Sequence, residues 1–273
     1  MQPFISSLIL ISLASSAISV AQNKEPPVVP GARVPGQKTA EERLYAEDGG
    51  ARGSTLESII VPPKAKAPFS LILETVWARG LADGGTITLE NKRRIARDAE
   101  GRIYMERWLL VPSDGSQQSR MTAIQISDPL THTLYSCFPL DSKKRCQLIT
   151  YTPSPDTVYN FFGSSQTISD VGDTVWLDLG KQLVSGVEAV GERVTDHYKP
   201  GAFGNDRMMT IEREFWYSPT LGFNLLSRRS DPRIGTQTFT VTNLILSDPD
   251  PKLFELPDGY TVVDDRKIAP PEN

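Results

Sequence analysis

The chain has 273 residues, and 29 Lys plus Arg stand against 33 Asp plus Glu for a net charge of −4. So mild an acidic balance, with no clustered basic face, excludes the electrostatic footprint of a nucleic-acid binder. Two histidines and two cysteines leave little material for a metal centre, and none is expected.

Residues 1–21 read as a secretory signal: an apolar run from Phe4 to about Ala14 passes into small residues and ends at Ser19-Val20-Ala21, a small-x-small cleavage pattern. The run is broken by serines and is shorter than the roughly 20 residues a spanning helix needs. No other segment of the mature chain is apolar and long enough to cross a bilayer. A periplasmic or secreted protein cleaved near Ala21 is the expectation. Residues 22–67 are Pro-rich ("NKEPPVVPGARVPGQK", then "VPPKAKAPF") and read as a largely disordered linker. Within them "TAEERLYAEDGG" could close one short helix capped by Thr39 and Glu42. Residues 68–265 form one β-rich domain and 266–273 a disordered tail.

Within the domain, turn signals recur every eight to twelve residues: "ADGG", "DAEG", "SDGS", "SDPLT", "PLDSKK", "SPTLG" and "SDPRIG". Between them lie "FSLILETVWAR", "RMTAIQIS", "HTLYSCF", "RCQLITYT", "TIEREFWY", "FNLLSRR" and "TQTFTVTNLIL", rich in β-branched and aromatic residues. That alternation predicts an antiparallel sheet or barrel. One short helix is expected, in "PDTVYNFFG". Cys137 and Cys146 flank a hairpin-type turn, so an exported chain would join them as a disulfide between neighbouring strands.

Catalytic constellations are sparse. There is no G-x-S-x-G elbow, P-loop or H-E-x-x-H, and His132 and His197 have no ligand-spaced partners. Gly186 and Gly191 fall outside dinucleotide-loop spacing. Carboxylate pairs could be drawn from Asp83, Glu106 and Glu214, but 33 acids always allow such a choice. No catalytic residue and no cofactor is assigned.

"RIARDAEGRIYMER", residues 94–107, is a hairpin. "DAEG" suits a type I turn with Gly101 left-handed, so Asp98 faces Arg102, Ala96 faces Tyr104 and Arg94 faces Glu106, two charge pairs on a solvated ladder. The other side carries Ile95, Ile103 and Met105, but also Arg97, Arg93 and Arg107. Three explanations are open: the arginines reach solvent along their apolar stems, a bulge shifts the register before Arg107, or the face lines a cavity where they meet an acid or an anionic ligand.

"GLADGGTI", "RDAEGRIYMER", "LVSGVEAVGERVT", "PGAFGNDR", "EFWYSPTLGFNLLSRRSDPRIGTQTFTVTNL" and "PDPKLFELPDGYTVV" together resemble a family of exported β-rich acidobacterial proteins, over about residues 68–264. More distantly, the strand-rich pattern ending in "LFELPDGYTVV" resembles the LolA/LolB periplasmic lipoprotein carriers and sensors. That resemblance implies a curved antiparallel sheet or incomplete β-barrel around an apolar cavity, with few short helices. It further implies a non-enzymatic binder of a lipid or lipoprotein acyl chain, with Trp77, Trp108, Phe215, Trp216 and Phe223, beside Tyr217, as candidate contacts. The simpler expectation for each of these aromatics, taken singly, is that it fills the core. "EFWYSPTLGF" could instead be a docking patch for an envelope protein partner, and a carboxylate hydrolase is the third reading.

Overall fold

Period-two alternation of apolar and polar side chains buries one face of a pleated chain, so the segments between turns form strands. In the computed structural model, which describes residues 59–153 and 164–266, they are Phe69–Gly80 (β1), Thr86–Arg97 (β2), Ile103–Trp108 (β3), Val111–Pro112 (β4), Met121–Asp128 (β5), Thr133–Cys137 (β6), Arg145–Thr150 (β7), Ser165–Ser169 (β8), Gly172–Val184 (β9), Val187–Tyr198 (β10), Met209–Ser218 (β11), Phe223–Asp231 (β12), Gly235–Ile245 (β13) and Thr261–Asp264 (β14). They make one sheet in the order β14, β7, β6, β5, β3, β2, β1, β13, β12, β11, β10, β9, β8, with β4 paired to β2 off this path. Neighbours are antiparallel, except that β14 runs parallel to β7. The sheet is open and curved, not closed into a barrel, as the incomplete-barrel expectation has it. Every segment read as a strand from the sequence is one. The long β9–β10 hairpin carries no clean alternation, because much of β9 is exposed. The expected signal, the helix at Thr39 and the helix in "PDTVYNFFG" lie outside the described residues.

Opposed residues share a face, so the register sorts the side chains. Phe69, Leu71 and Leu73 of β1 stand opposite Arg97, Ile95 and Arg93 of β2, and Leu73 also stands opposite Val241 of β13. On this core face Phe69, Leu71, Leu73, Ile95, Phe223, Leu225, Phe239 and Val241 form the main apolar cluster. Each such buried side chain contributes about 1.5–3 kcal/mol. Phe69 and Phe223 meet at 5.0 Å between ring centroids. Ile59 and Val61 join the same cluster, so the folded body extends into residues that the Pro-rich composition assigns to the linker.

The opposite face carries a second, smaller cluster of Ala96, Tyr104, Ile126 and Phe254. Phe254 comes from a 3-10 turn, Pro251–Phe254, capped by the Asp250 carboxylate accepting from the Lys252 amide. Cys137 and Cys146 are directly opposed on β6 and β7 and form the expected disulfide.

Candidate ligand-binding face

The β2–β3 hairpin has the register its turn predicts: Ile95 opposes Met105, Ala96 opposes Tyr104 and Arg97 opposes Ile103. Gly101 has φ +89°, a conformation that glycine adopts at little cost, and Asp98 accepts from Arg102 through its backbone N–H (2.8 Å) and Nε (2.6 Å). The Arg94–Glu106 pair is different from expectation. Glu106 is buried and accepts from the Arg94 backbone N–H (3.2 Å), the Tyr104 hydroxyl (2.9 Å) and Trp108 Nε1 (2.9 Å). It is a covered hub, because the C-terminal turn closes over this side of the hairpin. Burial, then the charge of Glu106, pushes the Tyr104 phenol upward.

The arginines of the core face do not reach solvent. Arg93, Arg97 and Arg107 are 2%, 0% and 4% exposed, and the bulge lies after Arg107, at Trp108. Arg97 donates to the carbonyls of Ala67, Pro62 and Leu221, each at 2.9 Å, and its guanidinium sits over the rings of Phe69 (4.9 Å) and Phe223 (6.0 Å). It ties the segment before β1 and the β11–β12 turn to the hairpin. Arg107 Nε donates to Gln125 Oε1 at 2.8 Å. Arg93, beside it on the next strand, is held well below the usual guanidinium range, first by burial and second by the charge of Arg107.

Three strand steps away the same face repeats the motif with different partners. A row runs Leu89, Trp77, Gln237, Arg229, Arg213, Val194, Trp176 across seven strands. Arg213 and Arg229 are directly opposed, but each has a carboxylate. Arg213 reaches Asp196 at 2.6 Å and Arg229 reaches Asp231 at 3.1 Å. Burial would raise Asp231, but hydrogen bonds from Arg233 and Arg229 hold it down at about 2. Phe215 lies on this face too, opposite Ser227.

Of the residues singled out from the sequence, the register therefore places Arg93, Arg97, Arg107, Trp77 and Phe215 on one face and Trp108 on the other. Trp216 and Phe223 flank the bulge between β11 and β12, and both join the main apolar cluster. Trp216 lies over Gly191, where an added Cβ would come within 2.5 Å of its ring, and its Nε1 donates to Glu214 at 2.8 Å. Burial alone would raise the Glu214 carboxyl, but Arg193 and Trp216 more than offset it and keep it low. Glu106 and Glu214 stand five strand steps apart, about 24 Å, and so do not converge as an acid pair. Arg213, Arg229, Asp196 and Asp231 are not among the residues that the sequence singles out. The register logic used on the β2–β3 hairpin, applied to "TIEREFWY" and "FNLLSRR", finds both arginines.

Among the described residues no group of three or more His, Cys, Asp or Glu is placed to hold a metal ion, and no helix is long and apolar enough to cross a membrane. No family model matches the chain, and no curated protein matches it. Similar solved structures include MucB in the MucA/MucB complex of Pseudomonas aeruginosa, at 13% identity and a TM-score of 0.34 over 72% of this chain and 58% of that one. LprF from Mycobacterium bovis matches at 10% identity and 0.25, over 68% and 90%. A DUF1329 family protein from Desulfovibrio piger matches at 14% identity and 0.25, over 70% and 90%. The chain thus spans under two thirds of the MucB chain it matches. Likeness at this level carries nothing about ligand, activity or partner.

Proposed function

We propose that this is a non-enzymatic, exported binding protein whose core face takes an amphipathic, lipid-like ligand with an anionic head, as carrier or sensor. The observation that carries the reading is the buried Arg93–Arg107 pair set next to the apolar rows of Leu71, Leu73, Ile95 and Val241. Burial lowers Arg93 most, and the like charge of Arg107 beside it adds a repulsion. An anion placed between them relieves it and gains charge-assisted hydrogen bonds. The apolar rows beside them suit an acyl chain, and Trp77 and Phe215 flank the polar end. Export is supported by the disulfide and by the signal pattern of residues 1–21.

The competing reading is an envelope interaction module with a filled interior and a protein partner. It is favoured by the hairpin end, where Arg97, Phe69 and Phe223 pack solidly. Native mass spectrometry of protein purified from its own periplasm separates the two. Co-purified lipid, lost in Arg93→Met, is the expected result. Protein that is ligand-free and extracts no lipid from vesicles overturns the binding reading.

A further inference from the structure

A second place in the molecule is shaped for an anion, at the far end of the strands and independent of the Arg93–Arg107 face. The end of β1, the start of β11 and the β12–β13 turn enclose an open cleft of about 440 Å³. Arg79 and Arg233 line it together with Thr210, Ser230, Thr236 and Asp231. Ser230 Oγ and Thr236 Oγ1 are 3.2 Å apart.

The walls are fixed. Gly235 has φ +92°, and an added Cβ would stand 2.2 Å from the Ala78 carbonyl oxygen, so β13 presses on β1 as only glycine permits. Trp77 Nε1 donates to the Ile234 carbonyl at 2.7 Å and pins the turn to β1. Asp231, buried behind the turn, accepts from Arg233 Nε (2.9 Å) and Nη2 (2.7 Å) and so holds that guanidinium in place. Arg233 still exposes about half of its side chain, 49%. Arg79 is exposed and rests over the Trp77 ring at 5.6 Å. Among the described residues it makes no ion pair. One carboxylate against two guanidiniums leaves the cleft with a surplus positive charge. Glu212, opposite Ser230 on β11, is near Arg193 at 3.9 Å.

We infer that this cleft binds a phosphate group, the two guanidiniums meeting its charge and the three hydroxyls its remaining oxygens. The phosphate could belong to a lipid headgroup or be free in solution. The first source is suggested by Phe203, 60% exposed, which lies beside Arg233 at 5.7 Å and packs edge-on against Tyr198.

The test uses the full mature chain, wild type and Arg79→Gln, with Arg266→Gln as a control distant in sequence and paired to Asp264. Calorimetric titration with inorganic phosphate and co-sedimentation with phosphatidylglycerol or phosphatidylcholine vesicles are run in parallel at low salt, with melting temperature recorded. The expected result is saturable binding in at least one arm, weakened about tenfold or more in Arg79→Gln at unchanged melting temperature and unaltered in Arg266→Gln. Binding to anionic vesicles alone identifies a headgroup, and binding to inorganic phosphate with no vesicle preference identifies a free anion. Wild-type protein that binds in neither arm, or Arg79→Gln that binds as wild type, overturns the inference.

Discussion

The core face carries two pairs of neighbouring arginines, one on each half of the sheet, and they are solved differently. Arg213 and Arg229 each face a carboxylate, Asp196 and Asp231, supplied from β10 and from β12 itself. In the other pair Arg107 leans on the neutral amide of Gln125, and its charge bears on Arg93. The first pair is a cross-strand network in which each guanidinium has a carboxylate partner, Asp231 being shared with Arg233. The second is buried beside the apolar rows of the core face, where we propose that an anion is received. Arg97, four residues from Arg93 on the same strand and face, is a third case: three backbone carbonyls and two aromatic rings make it a structural tie. One residue type on one face thus serves structure or function according to what the surrounding chain offers it.

That contrast can be broken by mutation, beginning with the largest effect. Arg97→Met leaves three buried carbonyls without their donor, and each unsatisfied group costs about 1–3 kcal/mol. A loss of about 3 kcal/mol or more in urea-monitored stability is expected, and a loss below about 1 kcal/mol removes Arg97 from the structural class. Asp231→Asn comes next. The folded carboxyl sits at about 2, below its ordinary 3.8, so its stabilisation is present above pH 4 and is lost as pH falls from about 4 towards 2. At pH 7 the variant should be about 2 kcal/mol less stable than wild type, and the two stability curves should converge near pH 2. Parallel curves at all pH values would show that the carboxylate does not neutralise its arginines.

Arg93→Met is expected to have the smallest effect on stability, about 1 kcal/mol or less in either direction, because it removes the burial cost of a charge and the repulsion from Arg107, offsetting the contacts it loses, while filling similar volume. If it destabilises as much as Arg97→Met, the two halves of the face do not differ as described.

The hairpin around Gly101 was legible residue by residue, because "DAEG" sets the loop and a set loop sets every cross-strand pair. The disulfide was legible for the same reason. What opposes the arginines was not. The carbonyls that bind Arg97 belong to residues 30, 35 and 124 positions away, and no local pattern announces them. The face of Ala96, Tyr104 and Glu106 read as solvated because its cover, Phe254, arrives from the far end of the chain. Nor does "TVVD" signal that β14 adds to β7 in parallel. Alternation gives strands and faces, whereas coverings come from tertiary contact.

The most direct measurement is a titration of the folded protein with a fluorescent fatty acid, comparing wild type, Arg93→Met and Lys92→Met. Lys92 lies on the opposite face, paired to Glu74 at 2.8 Å, and serves as the control for charge alone. Saturable binding by wild type and Lys92→Met, with affinity reduced about tenfold or more in Arg93→Met, is the result expected of an anion-receiving core face. Equal affinity in all three proteins, or no saturable binding by wild type, would contradict it.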